Sequence, residues 1–87
     1  MMLEKPQDNC QAWIATFPAG ADPSPLAGRA LMLYASNQNR AMQYIDEILA
    51  AMQPNGKRTP AVQLQWTQAP KHQQPVSPVH EGIQAVL

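Results

Sequence analysis

Eighty-seven residues leave room for one domain, and a chain of that size buries only about 60% of its unfolded surface, so its stability margin is thin. Six Lys and Arg balance six Asp and Glu, which argues against a nucleic-acid binder whose affinity comes from neutralising phosphates. Cys10 is the only cysteine, which excludes an intramolecular disulfide, and no window approaches the ~20 apolar residues that span a bilayer.

Only 14% of the residues are charged, and eleven glutamines fill much of the polar role. Glutamine hydrogen-bonds well but carries no repulsive charge, so a neutral Gln-rich surface resists association weakly. The first residues, Met1 to Asp8, show no basic start and no apolar stretch of signal-peptide length. A lone thiol without such a leader fits a reducing compartment, so a soluble, cytoplasmic protein is expected.

In chain order, residues 1–7 read as a frayed lead. Asp8 and Gln11 have capping-box spacing. Cys10, Trp13, Ile14 and Phe17 then fall at i, i+3, i+4 and i+7, which predicts a short helix over about 8–17. Pro18 stops it. Three prolines and a glycine between Pro18 and Pro25 predict a loop. Ser24-Pro25 then supplies an N-cap and a first-turn proline.

From there a long amphipathic helix is predicted over about 25–52. At 100° per residue, Leu26, Ala30, Leu33, Tyr34, Ala41 and Tyr44 share an arc with Ile45, Ile48 and Met52. Leu31, Met42 and Leu49 widen the arc. Its weak stretch is Ser36-Asn37-Gln38-Asn39, since Ser and Asn bond the local backbone in other conformations. The alternative is two helices joined near Asn37 to Asn39. Pro54 and Asn55-Gly56 end the element.

Ala61 to Thr67 alternates, with Val62, Leu64 and Trp66 on one side, which predicts one strand over 61–67. A lone strand leaves backbone groups unpaired. It can pair with its copy in a homodimer, add to another protein's sheet, or lie across the helix with water on its backbone. Beyond Thr67, Pro70, Pro75 and Pro78 predict an extended proline-rich tail over 69–87. Ser77-Pro78 can start a short terminal helix at 78–86, which Gly82 weakens. The fold class is therefore mainly α, with a helical domain at 1–68 and a tail at 69–87.

Candidate chemistry is sparse. Cys10 shares a face with Trp13 and Ile14, so it reads as a small buried hydrophobe rather than a nucleophile. His72 and His80 lack the close ligand pairing of a structural metal site. Asp46 and Glu47 sit on a polar helix face, Glu81 stands alone, and four scattered glycines build no phosphate loop. No catalytic residue, cofactor or metal is expected, and the chain is not expected to be an enzyme.

An apolar arc near 180° exceeds the ~100° that one packing contact needs. That excess points to a protein partner: a small cytoplasmic regulator, inhibitor or adaptor, with homodimerisation included. Interface candidates are Tyr34, Met42, Tyr44, Leu49, Val62, Leu64 and Trp66. One alternative is a structural subunit of a larger complex. Another is a nucleic-acid-binding regulator using the Lys57-Arg58 turn with Arg29 and Arg40. Nucleic acid is the least favoured partner, and no membrane partner is expected.

Overall fold

The computed structural model describes residues 10–75 and 80–87. Four antiparallel strands and one α-helix make up the architecture: β1 (Gln11–Thr16), β2 (Ala30–Ala35), α1 (Gln38–Met52), β3 (Gln65–Gln68) and β4 (Gly82–Val86). The sheet order is β3-β1-β2-β4. Single 3₁₀ turns stand at Ser24–Leu26, Ala61–Gln63 and Lys71–Gln73.

The mainly α expectation is overturned. The short helix at 8–17 is instead β1, which pairs with β2 from Gln11↔Ala35 to Thr16↔Ala30. Its residues Ala-Trp-Ile-Ala are apolar throughout, so a helical and a two-residue period fit them equally. Trp13, β-branched Ile14 and Thr16 favour the pleated form. Asp8, with its capping box, lies outside the described residues, as do Met1 to Gln7.

The long helix at 25–52 is two elements of different kind. Its first part is a 3₁₀ turn followed by β2, and only Gln38–Met52 is helical. The break falls on the stretch whose residues suit helices least. Asn37 is extended and caps α1, its Oδ1 accepting the Arg40 N–H at 2.9 Å. A cap contributes about 1 kcal/mol, and the same Asn would be unfavourable in a helix interior. The loop predicted ahead of it is present: Gly28 (φ +74°) donates to Pro18 O at 3.1 Å, and Phe17 N–H donates to Arg29 O at 2.8 Å. That positive φ suits glycine.

The strand at 61–67 is displaced. A 3₁₀ turn takes Ala61–Gln63, opened by Ala61 N–H donating to Asp46 Oδ1 at 3.0 Å, and β3 begins at Gln65. The turn rotates Val62 out to 74% exposure, while Leu64 is buried. β3 pairs with β1 inside the chain, so the lone-strand problem dissolves. The extended tail and terminal helix are corrected too. Gly82–Val86 forms edge strand β4, paired with β2, with Gln84 as the extra residue of a bulge between Leu33↔Ile83 and Met32↔Ala85. Ser77 and Pro78, the predicted helix start, lie outside the described residues.

The core sits between α1 and one sheet face. Ala15, Phe17, Leu31, Leu33 and Ala35 meet Ala41, Ile45 and Leu49 of the helix. Leu26, Ala61 and Leu64 close its ends. Ala41, Ile45 and Leu49 recur every fourth residue, so they form the single stripe that faces the sheet. Arg58 finishes the helix from outside, its Nη1 donating to Gln53 O at 2.6 Å and Pro54 O at 3.3 Å. Gln53 is the C-cap, whose carbonyl the helix end leaves unpaired, and Pro54 follows it.

Candidate interaction surface

Residues opposite each other in a ladder share a face. On the side away from α1, β1 places Ala12, Ile14 and Thr16 against Tyr34, Met32 and Ala30 of β2. β3 adds Gln65 and Thr67, and β4 adds Ala85 and Gly82. Ile14, Met32 and Tyr34 are half-buried, and Thr67 is exposed. None of these positions carries a charge. An antiparallel sheet with one solvated face shows apolar-in, polar-out alternation. The two central strands do not: their outward positions are Ala, Ile and Thr on β1, and Ala, Met and Tyr on β2. Among the described residues, α1 packs only on the opposite face, and the outward positions of the four strands carry no charged side chain, Ala12 among them being fully buried.

One corner of the outer face is finished by a side chain standing in for a strand. Beyond β3, Gln74 Oε1 accepts the Ala12 N–H at 2.7 Å, and its Nε2 donates to Ala12 O at 3.2 Å and Ala69 O at 2.8 Å. A primary amide carries the donor and acceptor of a peptide group, so Gln74 extends the ladder where the backbone turns away. A cleft of about 410 Å³ adjoins this corner, lined by Cys10, Gln11, Gln68, Ala69, Lys71 and Gln74, with Pro75 at its rim. Burial, and then the nearby Glu81 charge, push the Cys10 thiol up. A raised thiol is mostly protonated at neutral pH and a poor nucleophile.

The same end of the sheet, toward its β4 edge, holds a polar clasp. The Glu81 carboxylate, its side chain 9% exposed, accepts from Tyr44 Oη at 2.7 Å, Ser36 N–H at 2.8 Å and Arg40 Nη2 at 3.1 Å. Arg40 also donates to Tyr44 Oη and Gln43 Oε1, and its guanidinium lies 5.0 Å from the Tyr44 ring centre. Burial alone would raise the Glu81 carboxyl. The hydrogen bonds from Tyr44, Ser36 and Arg40 together outweigh it and hold the group below the usual range. Burial and the bond to Glu81 raise the Tyr44 phenol. The clasp places a carboxylate at the N-terminal end of α1, where the helix dipole favours negative charge, and ties the lead into β4 to the helix. A carboxylate held charged by three donors, and not lining the Cys10 cleft, is spent on structure.

The seven interface candidates scatter. Leu49 and Leu64 are core. Met42, Tyr44 and Trp66 pack against the core from its margin, and Trp66 Nε1 donates to Ala61 O at 2.7 Å. Val62 is exposed on the 61–63 turn, away from the others. Tyr34 alone lies on the outer sheet face. Of its central residues, the sequence pattern places Ile14 on a helix face and does not single out Met32. The available signal was the run of six uncharged residues from Ala30 to Ala35, bounded by Gly28 and Asn37, which suits a strand covered on both sides.

Asp46 is engaged by the Ala61 amide, and His72 and His80 are exposed. Among the described residues, no three His, Cys, Asp or Glu side chains gather as metal ligands, and no helix is long and apolar enough to cross a membrane. Compared with protein-family models, curated proteins and solved structures, the chain matches none.

Proposed function

We propose that this chain works by binding protein, as a small regulator, inhibitor or adaptor whose contact surface is the outer face of the sheet. The observation that carries this is the absence of charge across that face on both central strands, where an antiparallel sheet left to water shows polar residues. An apolar sheet face is stabilised by apolar cover, at roughly 25 cal/mol per Å² removed from water. The apolar arc of the helix no longer supports a partner, since α1 spends its stripe on the chain's own sheet.

The distribution of cations favours protein over nucleic acid as the partner. Arg40 is committed to Glu81 at one end of α1, and Arg58 to the Gln53 and Pro54 carbonyls just past the other. Fifteen residues of helix separate those ends by about 22 Å. The lone cysteine supports residence in a reducing, cytoplasmic setting.

The test is capture from lysate by wild-type chain and by Met32→Glu, with Gln63→Glu as a control on the exposed 61–63 turn. Proteins held by wild type and by Gln63→Glu are expected to be lost from Met32→Glu while its circular dichroism is kept. Equal capture by all three sinks this assignment of the surface.

A further inference from the structure

We propose that the occupant of the outer face is a second copy of this chain, the two sheets stacking face to face about a twofold axis. This rests on the outer face being the protein-binding surface. Two observations favour a copy over a charged, unrelated protein.

The first is charge. Interfaces between different proteins commonly match a positive patch to a negative one, which steers encounter and fixes register. The outer face offers no charge to match. A charged partner surface would be desolvated there without compensation. A second copy brings the same uncharged residues, and the chain's six cations and six anions leave two copies without net repulsion.

The second is relief. Ile14, Met32 and Tyr34 make a central ridge on β1 and β2, flanked on β4 by Gly82 and Ala85 and at the start of β2 by Ala30. A twofold axis sets the same patch against itself. Stacked sheets lie about 10 Å apart with strands inclined by about 30°. That inclination lets each ridge lie beside the other, over the small residues.

Size sets the strength. Strands of six, six, four and five residues, at about 4.8 Å spacing and 3.4 Å per residue, give a face of about 340 Å². Two such faces bury about 700 Å², below the ~1,000 Å² that a stable interface clears, so the association proposed is a weak, concentration-dependent one. It adds a layer to a slab only 18 Å through its short axis.

Sedimentation of the wild-type chain from micromolar to near-millimolar concentration tests this, beside Met32→Glu, Thr67→Glu and the off-face control Gln63→Glu. Wild type and Gln63→Glu are expected to rise from the 9.6 kDa of one chain towards twice that mass. Met32→Glu and Thr67→Glu are expected to weaken the association at least tenfold. Thr67 is exposed on an edge strand, so it decides the matter if Met32→Glu disturbs folding. A wild-type chain that stays at 9.6 kDa throughout overturns the second copy, while the lysate comparison above still judges the surface. A dimer formed equally by all variants overturns the second copy on this face.

Discussion

Glu81 joins three elements through one carboxylate, so its removal acts at a distance. Glu81→Gln keeps the volume but loses the charge that two donor side chains and the Ser36 amide share. Hydrogen bonds to charged groups contribute about 1.5–3 kcal/mol each, and a loss of about 2–3 kcal/mol is expected in urea unfolding. The pH dependence has a definite sign. The folded Glu81 pKa lies below that of an ordinary glutamate, about 4.3. Its contribution is therefore present above that value and disappears as pH falls through the folded one. The folded Tyr44 pKa is raised, so its contribution is present below about 10 and disappears as pH climbs through the folded value. Thermal midpoints should form a plateau with a shoulder at each end. Glu81→Gln should erase the acid shoulder and move the alkaline one to lower pH. An unchanged acid limb in that variant would show that another carboxylate sets it. Gln74 is a second residue of this kind. Gln74→Ala leaves the Ala12 N–H, on a residue with no exposure, without its acceptor. A cost of about 1–3 kcal/mol is expected, together with faster hydrogen exchange at the Ala12 amide.

At the scale of elements, the two halves of the predicted long helix were legible to very different degrees. Gln38 to Met52 mixes Gln, Arg, Asp and Glu with its apolar stripe, so only a 3.6-residue period fits it. Ala30 to Ala35 has no charge to mark a solvent side, so the helical phase passed through it as readily as a strand would. The property that hid β2 is the one that makes the outer face a contact surface. Leu64 and Trp66 share a side, as their alternation implied, but no pattern announced the turn that sends Val62 to solvent. The clasp was illegible because Arg40 and Glu81 are 41 positions apart and each looks solvated locally. Two substitutions separate cap from stripe. Asn37→Ala removes the Asn37 cap of α1 and should cost about 1 kcal/mol. Ile45→Ala opens a hole beneath α1 at a side chain with no exposure and should cost about 2–5 kcal/mol. If chemical denaturation ranks them the other way round, the helix does not pack on the sheet through Ile45.

At the scale of the whole molecule, the chain after residue 68 is structural. Its prolines suggest an appendage, yet it supplies the Gln74 amide, the buried Ala69, the Glu81 carboxylate and strand β4 against β2. A chain ending at Gln68 loses all four. It leaves the β2 edge unpaired beside Leu33, which has no exposure in the intact fold. The Ala12 amide loses a hydrogen bond worth about 0.5–1.5 kcal/mol, and the Ser36 amide loses one to a charged carboxylate worth about 1.5–3 kcal/mol. Ile83, half-buried over the core, adds roughly another 1 kcal/mol. At about 0.05–0.15 kcal/mol per residue, 87 residues hold some 4–13 kcal/mol of stability. The loss reaches the lower part of that range before the missing ladder bonds are counted. The truncated chain is therefore expected to lose cooperative unfolding, seen as a sloping urea curve and collapsed amide dispersion in a proton–nitrogen spectrum. A truncated chain that keeps a sharp transition and dispersed amides would make residues 69–87 an appendage after all. It would also shift the weight of the fold onto β1, β2, β3 and α1 alone.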